Sequence, residues 1–202
     1  MIDATTLRIE PRLGGRGGAT LDEIALVGRV ANGDRAAFER LYRGYYPRLR
    51  RFLERLTQRP QIVEEILDDT MLVVWRKAPS YNLRSKVSTW IFGIAVRRAL
   101  KTLKRVDDPI DYEPDDSEDR GGVGPEGTMQ MRETRARIAG ALCKLSRQHR
   151  AVIELTYFDG CSCAEIAEIL RCPVNTVKTR MFHARRKLRT LLAEDGRTAR
   201  SR

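Results

Sequence analysis

Apolar residues along the first half of the chain return at steps of three and four, the period of an amphipathic helix. Phe38, Leu41, Tyr42, Tyr45, Leu49, Phe52, Leu53 and Leu56 trace one stripe, with Pro47 inside it as a point where the helix can split or kink. Ile62, Val63, Ile66, Leu67, Thr70, Met71 and Val74 trace a second, expected to stop near Pro79. Val87, Trp90, Ile91, Ile94 and Ala95 begin a third. A shorter helix is predicted from Leu21 to Ala31, closed by Asn32-Gly33. Alternation with period two is nowhere sustained, so the predicted fold class is all-α.

Residues 146–192 carry the most specific pattern. Ser162-Cys163-Ala164-Glu165 is a capping box: Ser162 caps the helix and Glu165 reaches back. That helix bears Ile166, Ala167, Ile169 and Leu170, and Arg171-Cys172-Pro173 forms a short turn with Pro173 suited to a first helical turn. Val177, Met181, Ala184, Leu188 and Leu191 then give a buried stripe. Thr176, Thr179, Arg180, His183 and Lys187 share another face, flanked by Lys178, Arg185, Arg186 and Arg189. Two helices joined by a tight turn, the second polar and basic, read as a helix-turn-helix whose second helix enters a major groove.

Two further helix faces have chemistry. Glu64, Glu65, Asp68 and Asp69 make an acidic stripe on the second helix. Such carboxylates can serve acid–base work, a metal or a protein partner, or simply face water. The absence of a nearby His or a Gly-rich ligand loop favours docking over catalysis. On the third helix, Arg97, Lys101, Lys104 and Arg105 share a face, with Arg98 beside it. The loop Tyr81–Ser88 before it holds Asn82, Arg84, Ser85 and Lys86. Cations neutralise phosphates and aromatics such as Trp90 stack on unpaired bases; the alternative is a solvated basic face with Trp90 in the core.

Charge sharpens the division. The 202 residues carry a net +11 and a pI near 10.0. Residues 1–106 contribute +10, residues 107–131 contribute −8 and residues 132–202 contribute +9. The acidic segment, DDPIDYEPDDSEDRGGVGPEG, holds three prolines and four glycines and has too few apolar residues to bury a core, so it reads as a flexible linker. Its acidity serves solubility, or mimics nucleic acid over a basic face. The expected organisation is a tail over 1–20, a helical domain over 21–106, the linker over 107–131, a helix-turn-helix domain over 132–194 and a second tail over 195–202. No apolar run is long enough to span a membrane, and no secretory h-region follows the first residues. Four cysteines are too few for a disulfide scaffold, so a cytoplasmic, reducing location is the default. Cys143, Cys161, Cys163 and Cys172 lack a standard zinc spacing; they read first as small core residues, then as thiol sensors, and least as metal ligands.

Four stretches together carry a resemblance: FERLYRGYYPRLRRFLERL, IVEEILDDTMLVVWRKAPSY, STWIFGIAVRRALKTLKR and LSRQHRAVIELTYFDGCSCAEIAEILRCPVNTVKTRMFHARRKLRTLL. In this order the chain resembles the extracytoplasmic-function class of bacterial sigma-70 family factors. The resemblance implies a sigma-2-like helical domain and a sigma-4-like helix-turn-helix domain. It implies that Glu65, Asp68 and Asp69 dock on the beta-prime clamp helices of core RNA polymerase, and that the second domain meets the beta flap. Asn82, Arg84, Lys86, Trp90, Arg97, Arg98 and Lys101 would then bind the −10 element and its unwound strand. Asn175, Thr176, Thr179, Arg180 and His183 would read the −35 element, with Lys178, Arg185 and Arg186 on phosphates. The acidic linker would run toward the RNA exit path. An anti-sigma factor is the implied regulator. The free protein is expected to be monomeric, without cofactor or metal, and not an enzyme. This chain departs from the family pattern at Arg97, where Asn is usual, at Arg171, where the turn usually has Gly, and at Pro173, where Ser is usual.

Two other classes remain open on the residues. A stand-alone helix-turn-helix regulator would bind DNA without polymerase. A metal-dependent nuclease would use Asp68 and Asp69, though no P-loop, GxSxG, HExxH or EF-hand pattern is present.

Overall fold

A computed structural model describes residues 17–107 and 129–198, and every element among them is helical. The helices are α1 (Gly17–Ala31), α2 (Arg35–Thr57), α3 (Val63–Lys77), α4 (Val87–Asp107), α5 (Met129–Cys143), α6 (Arg147–Tyr157), α7 (Cys163–Leu170) and α8 (Val174–Thr198). Short 3-10 turns at Pro60–Ile62 and Ala78–Ser80 flank α3.

Gly33, at φ 82°, reverses the chain between α1 and α2 in a conformation that favours glycine. Asp34 then caps α2: its carboxylate accepts from the Ala37 N–H at 3.0 Å and from Arg29 Nε at 2.8 Å, which hold its carboxyl below the usual range. Pro47 does not split α2, which runs unbroken for 23 residues. The buried stripe Leu41, Tyr45, Leu49, Phe52, Leu53 and Leu56 continues on both sides of the proline, so packing overrides the missing N–H. Phe52 and Phe92 meet edge-to-face at 5.2 Å where α2 crosses α4.

The predicted boundaries shift at four places. Helix α1 starts at Gly17 rather than Leu21, so the first tail is shorter than 1–20. Helix α4 continues through Asp107 and α5 begins at Met129, so both ends of the expected 107–131 linker are helical. The rest of that linker lies outside the described residues. Helix α8 runs to Thr198, past the expected domain end at 194.

The two halves are not held only by a tether. Helix α7 packs along α4, α6 packs on α2, and buried residues from both halves join one continuous cluster. All residues from Ile91 to Val96 are buried, more than one helix face can supply.

Candidate nucleic-acid interface and docking face

Helix α8 presents the polar face that its sequence pattern predicts. Val177, Met181, Ala184 and Leu191 are buried, while Asn175, Lys178, Thr179, His183 and Arg186 are exposed and Thr176 and Arg180 are half-exposed. The turn before it has a physical explanation for its unusual residue. Arg171 sits at φ 49°, the left-handed conformation in which glycine is favoured. Its N–H and that of Cys172 satisfy the last carbonyls of α7, at Glu168 and Ala167. Ahead of α7 the capping box is complete: the Glu165 N–H donates to Ser162 Oγ at 3.3 Å and the Ser162 N–H donates to Glu165 Oε2 at 2.8 Å.

Three neighbours of this face are not legible as a set in the sequence. His149, in the first turn of α6, lies 6.4 Å from His183 between ring centroids. Burial lowers its pKa, helped by the nearby His183 and Arg180. Phe182 is 63% exposed and packs edge-on to His183 at 5.4 Å. Its only sequence signal is that it falls off the buried stripe. Arg180 donates to Cys172 Sγ at 3.7 Å, which orients the guanidinium from the turn.

The acidic face of α3 is exposed at Glu65 and Asp68 and half-exposed at Asp69, with Leu72 open beside them. It is partly paired within the chain. Arg105 reaches Glu65 at 2.8 Å, the Tyr42 hydroxyl donates to Asp68 at 3.2 Å, and Arg98 lies 3.8 Å from Asp69. Partial burial and the Asp68 charge push the Tyr42 phenol up to about 12. Glu65 and Asp69 thus line one wall of an open cleft of about 340 Å³, and Arg98, Lys101, Lys104 and Arg105 line the other. The pairings of Tyr42 with Asp68 and of Arg105 with Glu65 escaped the sequence reading because they are tertiary, and Leu72 of α3 lies off that helix's buried stripe.

The residues expected at the −10 element divide into two groups. Asn82, Arg84 and Lys101 are exposed. Asn82 Oδ1 accepts from the Arg84 N–H at 3.2 Å, and Leu83 between them is exposed at φ 61°. Trp90 is half-buried, tilted against Tyr81 at 5.0 Å, so it serves the packing as well as the surface. Lys86, which is exposed as well, and the half-buried Arg97 lie on the side toward the other half of the molecule. Lys86 Nζ binds Glu165 Oε1 at 2.7 Å, which raises the pKa of the amine. Arg97 is half-buried, its pKa lowered by burial and then by nearby Arg171.

The cysteines are all free thiols. Cys161 is packed into the shared core, and burial, followed by the charges of Asp159 and Glu165, pushes its thiol up to about 12. That is opposite to the direction a reactive thiolate requires. Among the described residues no three His, Cys, Asp or Glu side chains come together as a metal site, and no helix is long and apolar enough to cross a membrane.

Known proteins match this layout. Residues 41–108 match Sigma-70 region 2, and residues 135–188 match Sigma-70, region 4. The ECF RNA polymerase sigma factor RpoE of Cereibacter sphaeroides is 32% identical over 161 residues, covering 77% of this chain and 86% of that protein. The ECF RNA polymerase sigma factor SigW of Bacillus subtilis is 30% identical over 176 residues, covering 82% of this chain and 94% of its own. Among solved structures, CnrH in complex with the cytosolic domain of CnrY matches with a TM-score of 0.65 at 24% identity, over 86% of this chain and 99% of that one. Sigma factor RpoE in complex with the anti-sigma factor NepR, from Bartonella quintana, matches with a TM-score of 0.62 at 24% identity, over 77% and 96%. At that identity both structures speak to the fold alone.

Proposed function

This chain belongs to the extracytoplasmic-function sigma factors of RNA polymerase, and from that premise we propose where its contacts with polymerase and promoter fall. Its role is in transcription initiation. Glu65, Asp68 and Asp69, with Leu72 among them, dock on the clamp helices of the beta-prime subunit. The second half meets the beta flap. Asn82, Arg84, Lys86, Trp90, Arg97, Arg98 and Lys101 hold the −10 element. Taking a base out of its stack costs a few kcal/mol, and a preformed pocket with stacking aromatics offsets it. Asn175, Thr176, Thr179, Arg180 and His183 read the −35 element, while Lys178, Arg185 and Arg186 hold phosphates.

The observation that carries this reading is the open polar face of α8, set behind a capped α7 and a tight turn. The protein performs no covalent chemistry and acts in the cytoplasm, where its polymerase is. An anti-sigma factor controls it, as is usual for this class of factor.

Run-off transcription with core polymerase over a genomic promoter library tests the assignment and supplies both promoter elements. Asp68→Lys with Asp69→Lys is expected to weaken holoenzyme assembly severely. Undiminished assembly removes that face from core docking. Stable promoter binding by the free protein, with no affinity for polymerase, would replace the sigma reading by a stand-alone regulator.

A further inference from the structure

We propose that His149 of α6 is a further contact to the −35 element, holding a DNA phosphate beside the face that His183 presents, and that it does so by taking up a proton as the promoter binds. That the ligand is promoter DNA rests on the proposed function; the pairing of the two imidazoles rests on how α6 meets α8.

Ser146 caps α6 by accepting from the His149 N–H at 3.3 Å, which sets His149 in the first turn of that helix. This turn lies against α8, where the His149 and His183 ring centroids are 6.4 Å apart and the rings are inclined at 32°. Phe182 packs edge-on to His183 at 5.4 Å, and Arg180 is tied to Cys172 Sγ in the turn before α8. The His183 ring and the guanidinium thus have their places set before DNA arrives. His149 is half-exposed and His183 exposed, so a phosphate on the polar face of α8 has access to both rings.

The surroundings of His149 lack negative charge. Burial, then His183 and Arg180, hold its pKa below the ordinary 6.5, which keeps the ring neutral in the free chain. Both of those charged neighbours come from α8, and no carboxylate is among them. The other charged groups of the adjoining helices are engaged elsewhere. On α6, Arg150 donates to backbone carbonyls and Glu154 pairs with Arg55 of α2. Glu165 of α7 pairs with Lys86. Arg186 and Lys187 follow His183 along α8 and are exposed. A phosphate reverses this balance, because an opposite charge within about 4–6 Å favours the charged ring. Promoter binding and proton uptake are then linked, each strengthening the other by the same factor. The protonated ring belongs to the bound state, so binding tightens as pH falls and loosens as it rises.

Fluorescence anisotropy of a promoter duplex with holoenzyme, at pH 6, 7 and 8 and over a range of salt, tests the contact in the wild type, His149→Gln and His149→Arg. Glutamine cannot take the charge and arginine cannot lose it. The pH response of polymerase itself cancels between the three proteins. Circular dichroism checks that each variant keeps its helices. At pH 6 the wild type is expected to bind about tenfold more tightly than His149→Gln, the worth of one charge-assisted hydrogen bond, with the gap shrinking toward pH 8. Its salt slope of log K at pH 6 is expected to be steeper by about 0.9, one phosphate's share. His149→Arg is expected to carry the steeper slope at pH 8 as well. A glutamine deficit equal at pH 6 and pH 8, or salt slopes that none of the substitutions move, overturns the proposal. Should glutamine unsettle α6, the arginine variant decides alone: a pH dependence equal to that of the wild type is the refuting result. Failure of the proposed function looks different. A holoenzyme that holds no promoter at any pH refutes function and contact together, whereas a promoter held with a pH dependence that His149 does not move refutes the contact alone.

Discussion

Replacing Glu154 by glutamine sets burial against charge pairing at the centre of the interface between the halves. Glu154 is fully buried, faces Arg55 of α2 and Arg150 of its own helix, and has Asp159 nearby. Only one of its oxygens is paired; Oε1 is buried without a hydrogen-bond partner. Burial dominates, opposed by the Arg55 charge, and the carboxyl is pushed from 4.5 up to about 7. A shift of that size penalises the ionised form in the folded protein by about 3 kcal/mol. The folded form therefore holds the proton more tightly than the unfolded form. The stabilisation is fully present below the ordinary value of 4.5 and is lost as pH rises through about 7. Between pH 6 and pH 8 the loss is about 1 kcal/mol by the same linkage, worth roughly 2–4 °C in Tm for a chain of this size. Thermal unfolding of the wild type and Glu154→Gln at both pH values measures it, the variant removing the contributions of all other groups by difference. Glutamine is expected to raise Tm at pH 8 and to matter less at pH 6. A glutamine variant that is destabilised by the same amount at both pH values would refute the reasoning: the Arg55 and Arg150 charges would then outweigh burial.

Arg171→Gly is expected to stabilise the helix-turn-helix by about 1 kcal/mol, because the left-handed turn costs arginine more than glycine; a lower Tm for this variant argues that the Arg171 side chain makes a compensating contact. Lys178→Ala is expected to weaken holoenzyme binding evenly across promoter sequences and to lower the salt slope of log K by about 0.9, one phosphate's share. Arg180→Ala should instead cost about 1–3 kcal/mol on the selected −35 sequence and little on a scrambled one. Equal losses on both sequences would move Arg180 to the phosphate-holding group.

Local rules made the two helices of the helix-turn-helix and the acidic face of α3 legible. The Ser162–Glu165 box fixes the start of α7, and the stripe from Val177 to Leu191 sets the buried side of α8 apart from its exposed polar side. These signals span a few residues, so no tertiary knowledge was needed. The Arg98 and Arg105 pairings with Asp69 and Glu65 were out of reach, because they join helices some thirty to forty residues apart in the chain. The packing of one half on the other was also missed, yet two segments carry its trace. IFGIAV in α4 and RAVIEL in α6 are apolar on more sides than one neighbouring helix can cover. A helix partnered on a single face leaves polar residues on the opposite one; here Ile91–Val96 and Arg150–Leu155 are buried throughout. Arg150 and Glu154 stand four residues apart, the spacing of an ordinary surface ion pair, and that spacing conceals them. Set inside an otherwise apolar turn, the same two charges have another reading. They are buried, they need partners from outside their own helix, and the end of α2 supplies both the carbonyls and the arginine. A charged i, i+4 pair flanked on both sides by apolar residues therefore points to an interface, where the same pair on a polar face points to solvent.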